Sequence, residues 1–464
     1  MFVARSLRSE QRENGIRHGD REEALEGNRF VNTLTHGIGE RVAEAEKRYE
    51  QGDLQGAETL FRAVLESDAR NFDALNRLGA ILAKQARYEE AARYLRAALE
   101  QNAQSATAHY SLGIVQSTIG LRHDAMASYR SAIAIDPDFA EAHVNLGNLL
   151  DGARQAEAAI ASYRRAIEIK PDLGAAYQNL GDALLRSRQP AAAAAVFRQW
   201  LALDPTNEIA AYLYALASGE DVVRRAPNAW IERTFDTLAA SYDAHLQRLR
   251  YRAPYFIADA LARASGARHR NLVALDAGCG TGLCGPLIRP YVGRLVGVDL
   301  SSGMLERAKA RDVYDELYHG ELVAYLDSAP DTFDLIASAD TLIYFGPLDD
   351  VLQAAHRAMR TGGLLIFNVE EGRERRGATG YRLQQRARYS HSHGYLRRAL
   401  RAAGFGVLAI ESAALRLESG RPVAGLVATS EKMEGSAIRT PLSQRLRAAR
   451  MKIRRIASSI RQRV

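Results

Sequence analysis

Glycine recurs every 34 residues, at Gly79, Gly113, Gly147 and Gly181, and Ala91, Ala125, Ala159 and Ala193 keep the same interval, as do Pro137, Pro171 and Pro205. A fixed period of this length restricts the chain to a stack of supersecondary units, because one such unit cannot bury an apolar face by itself. Leu95, Tyr129, Tyr163 and Phe197 lie four positions after the alanines, where one helical turn brings a small and a large side chain onto the same face. Each repeat reads as two antiparallel helices. Small residues permit their close approach, and proline after the second helix, as in AIAIDPDFAEAH and AIEIKPDLGAAY, closes one unit and starts the next. Projection one period back gives Ala45, Ala57 and Phe61 as a weaker first copy, so about five units share one core.

With its Leu-Gly pairs at Leu78-Gly79, Leu112-Gly113, Leu146-Gly147 and Leu180-Gly181, the pattern resembles the tetratricopeptide repeat over residues 38 to 207. The resemblance implies an all-α solenoid with a concave groove for a peptide or protein ligand. Asn145 and Asn179, each two residues before a repeat glycine, occupy positions where related repeats present a polar side chain to a bound peptide. The following TNEIAAYLYALASG reads as a capping helix. The expected divisions are a polar N-terminal segment (1–37), the repeat array and its cap (38–219), a second domain (220–434) and a basic tail (435–464).

After Gly219 the period stops. RRAPNAWIERTFDTLAASYDAHLQRLRYRAPYFIADAL supplies a linker and two helical stretches, and then short β-rich runs (NLVALDAG, RLVGVDL, FDLIASAD, GLLIFNVE) alternate with helix-like segments. Strands alternating with helices indicate a parallel sheet covered on both faces. In LDAGCGTGLCG, Leu275 to Gly285, four glycines and both cysteines of the chain follow the first such strand. Ligands of doubly wound sheets bind beyond the carboxyl ends of strands, and glycine lets a ligand approach the backbone without a Cβ in the way. A dinucleotide fingerprint would read GxGxxG and hold a pyrophosphate. Here the spacing is Asp276-x-Gly278-x-Gly280-x-Gly282; the leading acid would repel phosphate and welcome an ammonium. Cys279 and Cys284, without a nearby His pair, are a poor zinc site, and no metal is expected.

These residues, with Asp299 ending the next strand, FDLIASADTLIYF and MRTGGLLIF, resemble the class I S-adenosylmethionine-dependent methyltransferases over about residues 230 to 430. The resemblance implies a Rossmann-like α/β domain with a mostly parallel seven-stranded sheet, and S-adenosyl-L-methionine as cofactor. By the same resemblance Gly278, Gly280 and Gly282 underlie the cofactor's amino acid moiety, Asp276 orients that loop and the ammonium, and Asp299 holds the ribose. Leu300 and Met304 flank the adenine; Glu321, with Leu322 beside it, stands where many relatives have an Asp of a Gly-Asp pair. Asp340 and Tyr344 face the methyl-transfer region, Phe235 and Tyr242 cover the cofactor, and His391 and His393 are candidate imidazole bases, since a neutral imidazole can take a proton near pH 7.

No [DN]PP[YF] motif and no Pro-Cys pair occurs, which disfavours nucleic-acid bases as methyl acceptors; a small molecule or a protein is expected. The combined architecture resembles predicted bacterial tetratricopeptide-repeat methyltransferases, whose repeats would recruit a protein that is the substrate or holds it. The alternatives are a repeat scaffold with a non-catalytic S-adenosylmethionine-binding domain, and a different reaction on the same fold. Within the net charge of +7, residues 435 to 464 carry nine Lys or Arg and no acid. Leu442, Leu446, Ala449, Ile453, Ile456 and Ile460 follow a helical apolar spacing there, so this tail suits an acidic surface. No run of 18 apolar residues occurs, and the N-terminus mixes Arg with Glu and Asp, unlike a signal peptide. A cytoplasmic location is expected.

Overall fold

The computed structural model describes residues 37–220, 223–265, 272–374, 379–384 and 386–434. The basic tail and all but the last residue of the polar N-terminal segment therefore lie outside the described residues. The chain divides into two compact units, Met1–Ser187 and Arg188–Val464.

Among its described residues the first unit is built of helices: α1 (37–50), α2 (Leu54–Ser67), α3 (Phe72–Lys84), α4 (Tyr88–Gln101), α5 (Ala106–Thr118), α6 (Arg122–Ile135), α7 (Ala140–Gly152), α8 (Ala156–Ile169) and α9 (Gly174–Arg186). The repeat glycine of each first helix faces the large residue of the second. A Cβ on Gly79 would lie 2.6 Å from Leu95 Cγ, one on Gly113 2.7 Å from Tyr129 Cε1, and one on Gly147 2.5 Å from Tyr163 Cε1. The glycines thus set how closely paired helices approach, while Ala91, Ala125 and Ala159 are fully buried beside them. Asn71 and Ser105 cap α3 and α5 by accepting the Ala74 and Ala108 N–H groups at 3.1 and 3.2 Å, which satisfies donors that a helix start leaves free. A left-handed residue also recurs in each turn between paired helices, at Gly52, Ala86, Gly120 and Arg154, with φ of 83°, 59°, 83° and 61°. Only two of the four are glycine, so this feature does not stand out in the sequence.

The second unit opens with α10 (Pro190–Leu203) and α11 (Glu208–Ser218), followed by α12 (Asn228–Leu238), α13 (Tyr242–Arg248) and α14 (Ala253–Ser265). Alternating elements come next: β1 (Val273–Ala277), α15 (Gly285–Ile288), β2 (Arg294–Asp299), α16 (Ser302–Lys309), β3 (Glu316–His319), α17 (Leu322–Ser328), β4 (Phe333–Ser338), α18 (Asp349–Ala358) and β5 (Met359–Glu371). The chain ends its described part with β6 (Tyr381–Gln384), β7 (Arg388–His391), α19 (His393–Ala402), β8 (Phe405–Glu418) and β9 (Arg421–Lys432).

These strands form one sheet in the order β3-β2-β1-β4-β5-β7-β6, with β9 also pairing β5 and β8 pairing β9. The expected seven strands are nine among the described residues. The hairpin β6–β7 supplies the two extra strands, β7 running parallel to the end of β5 and β6 antiparallel to β7. It went unrecognised because YRLQQRARYSH is short and rich in Arg and Gln, without the apolar run of a central strand. The sheet is otherwise as its alternation requires. Ala274, Leu295, Leu335 and Ile366 join one buried cluster with Ile257 and Leu261 of α14; Leu275, Val296, Ile336 and Leu365 join another with Leu352, Leu396 and Leu400 of α18 and α19.

Helix α11 belongs to this unit through its aromatic residues. Tyr212 OH donates to the Ala387 carbonyl at 2.7 Å beside β7, and its ring lies 5.2 Å from that of Trp230 in α12. Tyr389 OH donates to the Val223 carbonyl at 3.0 Å.

Two glycines of one helix separate close approach from helix propensity. Gly147→Ala should cost about 1–3 kcal/mol, because the new methyl must displace Tyr163. Gly152→Ala, where a Cβ meets nothing within 4 Å, should be neutral or stabilise by up to about 1 kcal/mol. Thermal melts of the two variants measure the difference; equal shifts would contradict this account of the repeat glycine.

Candidate functional site

The carboxyl ends of β1, β2 and β4 and the loop after β3 surround a cavity of about 960 Å³ counted out to its mouth. Gly278, Gly280, Asp276, Asp299, Leu300, Met304, Glu321, Leu322, Asp340 and Tyr344 all line it. The structure therefore brings together ten residues that come from four separate stretches of sequence. Gly282, His391 and His393 do not line it.

The loop after β1 is held from below. The N–H groups of Gly278 and Cys279 donate to the Val298 carbonyl at 2.9 and 3.0 Å. Gly278, Gly280 and Gly282 have φ of 72°, 55° and 81°, in the region that L side chains rarely adopt. Their surroundings differ. A Cβ on Gly278 would overlap Thr341, which hydrogen-bonds the Gly278 carbonyl at 3.2 Å. One on Gly282 would press on Tyr314 and Arg311, away from the cavity, whereas one on Gly280 would meet no protein atom within 4 Å. Gly280 alone of the three turns a bare face into open space, the arrangement of a cradle for a ligand.

Two carboxyls stand beside this face. Asp276 is 1% exposed and accepts one hydrogen bond from a side chain, Tyr314 OH at 2.7 Å; burial raises its pKa to about 7. Asp299 accepts the Gly280 N–H at 2.8 Å and the Ser301 N–H at 2.9 Å, one at each oxygen, and burial raises its pKa as well. Each oxygen keeps a lone pair for a hydroxyl or ammonium donor. Tyr314 was missed by sequence reasoning; the one hint available was that a buried Asp276 requires a donor.

Helices α12 and α13 lie over the cavity through Ile231, Phe235, Tyr242 and Leu246. Phe235 stands edge-on to both Tyr242 and Tyr344, with ring centroids 5.7 Å apart in each pair. The acids next to these aromatics do the fastening. Asp236 accepts the Ser301 hydroxyl at 2.5 Å and the Gly303 N–H at 3.0 Å, and these bonds hold its carboxyl below the usual range. Asp243 accepts from Thr281 Oγ1 and Arg311 Nη2, each at 2.5 Å. Arg225, also lining the cavity, pairs with Glu321 at 3.2 Å, and Glu321 in turn caps α17 by accepting the Ala324 N–H at 2.8 Å. Each tie reaches a loop that follows a different strand.

At the β4 end, Asp340 has φ of 55°. Asn368 of β5 holds it in that strained backbone region by accepting the Asp340 N–H at 3.1 Å and donating to its carboxylate. Arg416 of β8, 2% exposed, donates to the other carboxylate oxygen at 2.8 Å and also pairs with Glu370 and, at 2.7 Å, with Glu418. None of these distant partners carries a local motif.

The histidines lie elsewhere. His391 is fully buried, its Nε2 lies 2.7 Å from the Gly346 carbonyl, and burial lowers its pKa to about 4. His393 is exposed at the start of α19. In the first unit, Asn145 Nδ2 donates to Tyr110 OH at 3.2 Å and Asn179 Nδ2 to Asn148 Oδ1 at 2.8 Å, so both asparagines bridge first helices of successive repeats.

Comparison with known proteins agrees with this division. Residues 275–367 match a family model described as a methyltransferase domain. Tetratricopeptide-repeat models match 48–113, 140–173 and 174–208, and a TPR repeat model matches 123–150. The chain is similar to malonyl-[acyl-carrier protein] O-methyltransferase of Yersinia pestis, 30% identical over 22% of this chain and 39% of that protein. It is 40% identical to methyltransferase-like protein 27 of Homo sapiens over 18% of this chain and 34% of the relative, so it spans little more than a third of either. A crystal structure of an S-adenosylmethionine-dependent methyltransferase from Mesorhizobium loti matches 36% of this chain and 94% of its own, with 22% identity and a TM-score of 0.31. The chain thus carries tetratricopeptide repeats within residues 48–208 and a methyltransferase domain over residues 275–367.

Proposed function

We propose that this protein transfers a methyl group from S-adenosyl-L-methionine to an acceptor that is a protein, or is held by one, recruited through the repeat groove. One observation carries the reading: the bare face of Gly280 opens beside the buried Asp276 and the half-buried Asp299, at the ends of adjacent strands. Four acids and one arginine line the cavity among the described residues, a balance that favours a cationic ligand over a phosphate-rich one. When bound, S-adenosylmethionine supplies an electrophilic methyl group on a sulfonium.

The chain's own residues hold and orient it. Asp299 accepts from the ribose hydroxyls, and Asp276 with Gly278 and Gly280 receives the ammonium. Leu300, Met304 and Leu322 flank the adenine, with Glu321 at its edge. Gly282 keeps the loop's course from outside the cavity. Asp340 and Tyr344 bound the acceptor side, and α12 and α13 exclude water. Positioning supplies most of the catalysis for an acceptor that needs no deprotonation; the buried His391 and exposed His393 receive no role in it.

Asp299→Ala should weaken S-adenosylhomocysteine binding by on the order of 2 kcal/mol, since the ribose hydroxyls lose a charged acceptor; unchanged affinity by calorimetry would remove the ribose assignment. Asp276 is partly protonated at pH 7 in the free protein, and a bound ammonium favours its carboxylate. Binding should therefore release a proton near pH 7 and weaken as the pH falls below 7. Calorimetry in buffers of different ionisation enthalpy reads this directly, and proton uptake on binding would contradict it. In the full chain, Asn145→Ala combined with Asn179→Ala should leave cofactor affinity unchanged and reduce radiolabelled methyl transfer to proteins of a cell lysate. Undiminished labelling would sink the recruitment role.

A further inference from the structure

Resting on that reading, we propose that the part of the cavity beside Asp340 is a recognition subsite for a positively charged nitrogen carried by the acceptor, an ammonium or methylated ammonium group that is not itself the methylated atom, and that it disfavours a carboxylate. Its walls are aromatic and acidic. Phe235, Tyr242, Tyr251 and Tyr344 line the cavity together with Asp340. Phe235 meets Tyr242 and Tyr344 edge-on, at interplanar angles of 86° and 82°, so the rings enclose a corner rather than stack flat. The field of the Asp340 carboxylate reaches all three phenols, opposed at Tyr242 and Tyr344 by Arg388 and at Tyr251 and Tyr344 by Arg416. Burial raises each phenol's pKa, so the rings stay neutral and present electron-rich faces. A cation gains from such faces and from a carboxylate at the same site.

The cations nearby are committed. Arg416 touches Asp340 but divides its guanidinium among Asp340, Glu370 and Glu418. Arg388 pairs with Glu370 at 3.4 Å and Glu418 at 2.7 Å and hydrogen-bonds Tyr344, and Arg225 is taken by Glu321 and the face of Phe345. An anionic acceptor would be stripped of water beside Asp340 without a free counter-charge, which is the costly arrangement. Asp340 itself is fixed rather than adaptable, because Asn368 grips both its backbone N–H and its carboxylate. It follows β4, apart from Asp276 and Asp299 on β1 and β2, the acids assigned to the cofactor.

The test titrates benzyltrimethylammonium, and phenylacetate and benzyl alcohol as anionic and neutral probes of similar size, into full-length protein saturated with S-adenosylhomocysteine. The cation should bind saturably and about tenfold or more tighter than phenylacetate. Asp340→Asn and Tyr344→Leu should each weaken the cation severalfold while S-adenosylhomocysteine affinity, which also reports folding, stays within about threefold. Phenylacetate binding as well as the cation, or cation affinity unchanged in both variants, would overturn the subsite. Displacement of the cation by S-adenosylhomocysteine would also overturn it, by giving the corner to the cofactor. Failure of S-adenosylhomocysteine to bind at all would overturn the methyltransferase reading and this inference with it.

Discussion

The second unit is organised around the cost of drawing two carboxyls, the buried Asp276 and the half-buried Asp299, away from water at the ends of adjacent parallel strands. An isolated buried carboxylate is strongly unfavourable, and it either takes up a proton or finds donors and a counter-charge. Asp299 finds two backbone N–H groups and Asp276 finds the Tyr314 hydroxyl. Neither acid has a salt bridge among the described residues. What would complete them is a donor-rich cation, and a bare-faced Gly280 provides the room for one. The glycine loop, the side-chain bond from Tyr314 and the covering helices all serve that arrangement.

The cover and the far wall follow from the same need to exclude water. Asp236, Asp243 and Arg225 tie α12, α13 and the segment before them to loops that follow β2, β1 and β3. These are polar ties from exposed or partly exposed side chains of the cover, Asp236, Asp243 and Arg225, few enough to suit a cover that must part to admit a ligand. The β4 end is built differently. Asp340, Asn368, Arg416, Glu370 and Glu418 form a hydrogen-bonded charge network that is largely buried, and such a network is rigid only when each member is satisfied. Its neighbour Arg388 directly follows Ala387, whose carbonyl receives Tyr212 of α11. The cover and the β4 end thus have opposite mechanical characters.

Much of the fold was legible in the sequence because it is periodic or local. The 34-residue interval specifies helix pairs, and the Gly147–Tyr163 contact explains why a small residue must return with a large one sixteen positions later. Alternating β-rich and helical runs specify a covered parallel sheet, and Asp276, Gly280 and Asp299 could be found from strand ends alone. What escaped was long-range or polar. Tyr314, Asn368 and Arg416 act across 38, 28 and 76 residues of sequence, and nothing local marks them. Asp236 and Asp243 sat beside the aromatics that drew attention, since an acid on a helix usually reads as solvated surface. His391 looked reactive by residue type, but the extra hairpin that carries it turns it into the core, against the Gly346 carbonyl.

The most direct measurement is equilibrium dialysis of the full-length protein against S-adenosylmethionine carrying a tritiated methyl group. The account predicts saturable binding at one site per chain, displaced by unlabelled S-adenosylhomocysteine. Absence of saturable binding, or binding that S-adenosylhomocysteine leaves untouched, would contradict it.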